Sequence, residues 1–292
     1  MRTTEAAMRL VTFRHNGRTG FGRLTGDGDA VIDCGPLLGP ELGSVRAVLA
    51  AGALEQVREA TEGRTGDAKL ADVELLPPIP DPAKILCAGV NYRTHREETS
   101  RPESAYPTIF PRYADSQVGH DQPLVRPAET ETFDYEGELA VVIGTGGRRI
   151  RAEDAFTHIA GYACYQDGSV RDWQRHSGQW VAGKTFPATG GFGPALVTAD
   201  EVPDVAALDL VTRVNGEVRQ AASVGDLIFS IPELIAYIST FTPLAPGDVI
   251  VTGTPGGVGL FREPPVFLQP GDVVEVEISG IGTLRNTIAA EA

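Results

Sequence analysis

A chain of 292 residues with 42% hydrophobic and 22% charged residues can bury a full core, as one large domain or as a large one with a small companion. Its net charge of −14 disfavours nucleic acid or an anionic membrane as partner, since both need a basic face. No apolar run approaches the about eighteen residues of a membrane span, Met1 to Arg14 lacks the apolar core of a signal peptide, and cytoplasm is the expected compartment.

Short strands are expected at Leu10 to Phe13, Gly22 to Leu24 and Ala30 to Asp33, with Gly26 to Asp29 as a hairpin turn. Ser44 can cap a helix running to about Ala60, whose apolar positions include Val48, Leu49 and Val57. The Pro-rich link Leu75 to Pro82 reads as a domain boundary, giving a small N-terminal αβ domain over residues 1–76 and a larger domain over residues 77–292. Cys34, Cys87 and Cys164 are far apart and outside any Cys-x-x-Cys spacing, so they read as core thiols.

A strand follows at Lys84 to Val90, and the polar stretch Asn91 to Tyr106 suits a mobile loop or lid carrying a short helix. Within it "HREE" places His95 and Glu98 three apart, on one face of a helical turn, where a carboxylate can orient an imidazole as a general base for water. A solvated histidine in a charged loop is the plainer alternative.

Strands come next at Thr108 to Phe110, Phe133 to Ile143 and Ile159 to Gln166, with one helical turn at Asp154 to His158. In the second of these the carboxylates of Asp134, Glu136 and Glu138 alternate, so they should project from one face. At roughly 6 to 7 Å apart, two such charges repel by about 2 to 3 kcal/mol at an effective dielectric near 20. The apolar continuation Leu139 to Ile143 implies burial, and then a Lys, an Arg or a hard divalent cation must compensate them. A solvated acidic strand end is the alternative.

"YQDGSVRDWQ" puts Asp167 at the end of an apolar strand, either as a turn residue or as a third carboxylate completing an oxygen-rich site with Glu136 and Glu138. Arg171 and Gln174 share a face if a helix starts at Ser169. Gly178 to Thr185 spells the Walker A pattern letter for letter. Polar residues precede it and prolines and glycines follow, so neither the strand nor the helix that nucleotide binding needs is expected. Lys184 at its end is a surface charge or, in a folded pocket, a group that stabilises a developing enolate or carboxylate.

Asp209 to Val214 and Glu217 to Gln220 form a hairpin across Asn215-Gly216. Ser230-Ile231-Pro232-Glu233 has capping-box spacing and opens a helix to about Phe241. Strands return at Asp248 to Thr252, Val273 to Ile278 and Thr283 to Ile288. "TGTPGGVG", Thr252 to Gly259, is a tight turn or a cradle for an anion at a strand end. Many strands with few helices predict an α+β, β-rich fold, sandwich or barrel-like. Zincin, serine-hydrolase and dinucleotide motifs do not occur.

Taken in order, "KILCAGVNYRTH", "DYEGELAVVIG", "GYACYQDGSVRDWQ", "GKTF", "VNGEVRQ" and "PGDVIVTGTPGGVG" resemble the fumarylacetoacetate hydrolase family over about residues 70 to 290. The resemblance implies a mixed β-sandwich roll with a small N-terminal domain, assembled as a homodimer. It implies Glu136, Glu138 and Asp167 as ligands for Mg²⁺, with Mn²⁺ or Ca²⁺ as substitutes, and His95 and Glu98 as a water-activating dyad on a lid. Lys184, Arg171, Gln174 and Thr254 match positions that face substrate. Arg112 stands where a substrate-facing Lys is usual, Pro187 where Asp is common and Gln166 where Asn is common.

The expected reaction is hydrolysis of a C–C bond in a small anionic 1,3-dicarbonyl acid such as an acylpyruvate. His95 would activate water against the distal carbonyl, and the leaving enolate would be stabilised by the cation and Lys184. Rival readings are decarboxylation or tautomerisation of a β-keto acid such as oxaloacetate, hydration of an enoate, and binding of an anionic metabolite without turnover.

Overall fold

The computed structural model describes residues 8–292, so the part of the Met1 to Arg14 reading that falls on residues 1–7 lies outside the described residues. Among the described residues no helix is long and apolar enough to cross a membrane. The fold is built on the strand Gly137–Ile143, in which every residue is buried. Side chains alternate across a strand, so Leu139, Val141 and Ile143 enter one core with Leu234, Ile235 and Ile238 of the helix Ile231–Phe241. Ala140 and Val142 enter another, with Ile85, Phe192, Val249 and Val251. Burial on both faces explains the continuous apolar run. At ~1.5–3 kcal/mol for each buried Leu, Val or Ile, both cores hold this strand, and the carboxylates at its N-terminal end inherit a fixed position.

Ile159–Gln166 and Val249–Val251 flank it, both antiparallel. Beyond the latter lie Ile85–Gly89, parallel to it, and Thr108–Arg112, antiparallel at the edge. On the other side Gly190–Thr198 follows and pairs through Val197 and Leu196 with Arg9 and Leu10 of the strand Arg9–His15. The N-terminal strands therefore extend the same twelve-stranded sheet. A second sheet carries Glu217–Ser223, Asp209–Val214, Val273–Ile278, Gly282–Ala290 and Leu124–Arg126, in that order. Its Leu210, Val276 and Leu284 join Leu139 and Val141 in the first core. This is the α+β, β-rich sandwich roll that the resemblance implied.

Three elements differ from expectation. The helix after Ser44 is two, Val45–Ala50 and Leu54–Thr61. Gly52 lies between them at φ 63°, with its N–H on Leu49 O, so the first helix ends in a left-handed glycine. The link from Leu75 begins as strand: Glu74–Leu76 pairs with Thr12 to Arg14, keeping the chain on the sheet before it turns away. Phe133 to Ile143 is interrupted at Tyr135 and Glu136. Phe133–Asp134 pairs separately with Ser169–Val170, which delays the next helix to Arg171–Gln174. The capping box on Ile231–Phe241 forms as expected, Ser230 N–H donating to Glu233 Oε2 at 2.7 Å. All three cysteines are free and buried, and burial pushes the Cys34 and Cys164 thiols up to about 12.

Candidate active site: a buried carboxylate triad opposite a lid histidine

Ligand-bearing oxygens of Glu136, Glu138 and Asp167 all lie within 4.8 Å of one another. The three residues are 5%, 2% and 0% exposed, so each charge needs compensation from within the protein or from an ion. Strand register brings them together. Gly137 pairs with Gln166, which sets Asp167, the first residue past Ile159–Gln166, beside Glu136. Asp167 N–H donates to Glu136 O at 2.8 Å, and Gln166 Oε1 accepts from Glu136 N–H at 2.8 Å.

Asp134 does not join them. With the strand interrupted, its carboxylate turns to Arg171 Nε at 2.8 Å and to the amides of Gly259 and Leu260 at 2.8 and 2.9 Å. The expectation of one face for Asp134, Glu136 and Glu138 holds only for the last two. Tyr135 uses the break to donate its hydroxyl to Gly257 O at 3.0 Å.

Cations meet most of the negative charge. Lys184 Nζ lies 2.5 Å from Glu136 Oε2 and 2.6 Å from Asp167 Oδ2, and Arg171 Nη2 lies 2.7 Å from Glu136 Oε1. Burial pushes the Glu136 carboxyl up, but Arg171, Lys184 and His95 outweigh it and hold the group well below the usual carboxylate range. Glu138 differs. Its one polar partner among the described residues is the Gly253 amide at 2.5 Å, and burial, then Asp167 and Glu136, push its carboxyl well above the usual range.

Four buried carboxylates (Asp134, Glu136, Glu138 and Asp167) thus face three cations (Arg112, Arg171 and Lys184). An all-oxygen donor set with one uncompensated carboxylate fits a hard divalent cation. Glu136, Glu138 and Asp167 are the residues that would hold it.

Arg112 is a correction. Its side chain is fully buried and does not line the cavity. It grips Asp167, donates to Gly168 O at 3.0 Å and Thr189 Oγ1 at 2.9 Å, and so fixes the Asp167 carboxylate from behind. Lys184, expected to meet an enolate, lines the cavity but binds two carboxylates. The Walker-like segment carries only the four-residue helix Val181–Lys184, with no strand before it. Nothing there resembles a phosphate loop.

The lid helix is Arg93–Thr99, and on it His95 Nδ1 lies 2.6 Å from Glu98 Oε1. A carboxylate only accepts, so Nδ1 carries the proton and Nε2 is the basic nitrogen. Glu98 is itself fixed, accepting from Gly257 N–H at 2.8 Å. His95, Glu136, Glu138, Arg171, Gln174, Lys184 and Thr254 line one cavity of about 290 Å³. Gln174 Oε1 accepts from Arg171 at 3.0 Å. Thr254 donates its hydroxyl to Gly137 O at 3.0 Å and accepts from Gln220 at 2.7 Å, which leaves it an acceptor toward the cavity.

The loop Thr252 to Gly259 is a cradle for anions, and the anions belong to the protein. Its amides at Gly253, Gly257 and Gly259 bind Glu138, Glu98 and Asp134 respectively. The sequence offered this loop as a tight turn or an anion cradle, and the cradle forms; sequence reasoning missed Trp180, Phe261, Arg101 and Arg175, which also line the cavity. Their only signal was position: Arg101 in the lid, Arg175 and Trp180 in the segment after Gln174, and Phe261 just past the glycine-rich loop.

The family described as fumarylacetoacetate (FAA) hydrolase C-terminal matches residues 84–289, and one described as Rv2993c-like, N-terminal, matches residues 8–78. A mitochondrial oxaloacetate tautomerase of Homo sapiens is 41% identical over 288 residues, covering 96% of this chain and 91% of that protein. An oxaloacetate tautomerase of Bacillus subtilis is 44% identical over 225 residues, 75% of this chain and 74% of the other. Among solved structures, a maleylpyruvate hydrolase from Sphingobium in complex with manganese(II) and pyruvate has a TM-score of 0.80 at 31% identity, covering 98% of this chain and 100% of that one.

Proposed function

Because the chain belongs to the fumarylacetoacetate hydrolase family, we propose that it interconverts the keto and enol forms of a small 2-oxo acid of the oxaloacetate kind, with Mg²⁺ or Mn²⁺ at the triad. The observation that carries this reading is the His95 imidazole, held by Glu98 and turned to the same cavity as Glu136 and Glu138. His95 Nε2 takes a proton from the carbon between the two carbonyls, the C–H electron pair becomes the C=C bond, the carbonyl π pair moves onto the 2-oxo oxygen, and the imidazolium gives its proton to that oxygen to form the enol. The reverse path returns the proton to carbon, so no water is consumed. A divalent cation bound by the three carboxylates would supply Lewis-acid polarisation of the 2-oxo group. Arg171 and Gln174, already joined to each other, offer donors to the acid head from the cavity wall. The names of the relatives support oxaloacetate as substrate.

The same oriented imidazole supports a second reading, hydrolysis of a short acylpyruvate, with water in place of the substrate proton as its target. A maleylpyruvate hydrolase among the structural relatives favours that alternative. One assay separates them. Enol absorbance of oxaloacetate and of acetylpyruvate is followed in Mg²⁺ and in EDTA, with pyruvate measured as product. Accelerated decay of the oxaloacetate enol without pyruvate is expected, slowed by EDTA and lowered about 10²- to 10⁴-fold in His95→Ala. Pyruvate from acetylpyruvate would replace tautomerisation with hydrolysis. A rate no faster than buffer for either substrate would overturn both.

A further inference from the structure

The cavity changes sign along its length. Its floor carries the carboxylates, whereas the adjoining groove that shares Arg101 and Arg175 with it is lined by no acidic residue, and in a second adjoining groove the one acidic residue, Glu103, is paired with Arg96. Both arginines belong to the cavity and to the first groove, so they stand at the opening between them. In a chain of net charge −14, neither guanidinium is paired with a carboxylate among the described residues. Unpaired arginines beside a substrate path are available for a carboxylate, which the planar fork binds through two parallel hydrogen bonds.

Arg101 is held in place. Its guanidinium carbon lies 4.9 Å from the centre of the Trp180 ring, a cation–π contact that uses none of its N–H donors in a hydrogen bond to a carboxylate. Trp180 is fixed in turn, edge-to-face on Phe110 at 5.4 Å and close against Gly89, where an added Cβ would come within 2.1 Å of the indole. Arg175 caps the short helix that bears Arg171 and Gln174. Arg101 follows the lid helix that bears His95. An anion gripped by both arginines would therefore tie the lid to the opposite wall.

We propose that Arg101 and Arg175 bind the carboxylate of the substrate that lies farthest from its 2-oxo acid head, so that the site selects dicarboxylic over monocarboxylic 2-oxo acids. This rests on the reading above, in which the 2-oxo group meets the cation at the triad and the acid head meets Arg171 and Gln174. The inner site and the mouth then recognise the two ends of one molecule, and a neutral acyl group at the mouth leaves both guanidinium groups without a partner.

Malate and lactate share a 2-hydroxy acid head and differ in the distal carboxylate, so their affinities for the Mg²⁺-loaded protein, measured by calorimetry, isolate that contact without turnover. The wild type is expected to bind malate at least about tenfold more tightly than lactate. Arg101→Met and Arg175→Met each reduce the ratio, and the double variant brings it near one, with lactate affinity holding steady as the control for folding. A wild-type ratio near one, a ratio that survives the double substitution, or lactate weakening in step with malate would overturn the proposal. If oxaloacetate is not turned over while the malate ratio behaves as expected, only the tautomerase reading fails.

Discussion

Arg112 fixes Asp167 from the side away from the cavity and spreads its remaining donors over Gly168 O and Thr189. A lysine there would keep the charge but lose the fork that reaches three acceptors. Arg112→Lys is therefore expected to weaken Mg²⁺ binding about tenfold, the usual scale for a partner that orients a metal ligand. Titration by calorimetry checks it, and unchanged affinity would mean that Arg112 supplies charge alone. Chemical type at this position was readable in the sequence, but direction was not. Arg112 ends a strand and Arg171 directly follows one, yet the first faces the back of the triad and the second its cavity.

At the scale of elements, the loop Thr252 to Gly259 joins the strand ends to the lid, because Gly257 N–H holds Glu98 and Gly253 N–H holds Glu138. Gly257 sits at φ +105°, and a Cβ there would lie 2.2 Å from Arg219 O. Gly257→Ala must move the loop, withdraw the amide from Glu98 and free the His95 ring. Loss of about 1 to 3 kcal/mol of stability is expected, read by denaturant unfolding, together with a fall of about tenfold or more in the rate at saturating oxaloacetate. A stable variant with full activity would show that Glu98 needs no such support. The glycines of "TGTPGGVG" flagged a cradle, and the hairpin at Asn215-Gly216 and the Ser230 cap were equally plain, since turn and cap chemistry is local. The break at Tyr135 was hidden. Its cause is a pairing of Phe133–Asp134 with residues far along the chain.

For the molecule as a whole, a core cluster with one more carboxylate than cations should gain stability when a divalent ion binds. At a Mg²⁺ concentration of about one hundred times Kd the gain is about 2.7 kcal/mol, which a thermal melt reads as a rise of several degrees. Glu138→Gln removes the uncompensated carboxyl. Without Mg²⁺ this variant is expected to be at least as stable as the wild type, and with Mg²⁺ it should gain far less. Equal gains in the two proteins would remove Glu138 from the ligand set. The sequence by itself determined the buried strand, the acidic residues at its start, the His95 and Glu98 pair and the strand-rich class, because periodicity, spacing and turn chemistry act within a short window of chain. Tertiary structure alone decided that Asp134 leaves the cluster, that Arg112 stands behind it and that Lys184 lies inside it. Those outcomes follow from strand register and from the neutralisation of buried charge, and both depend on which distant segments meet.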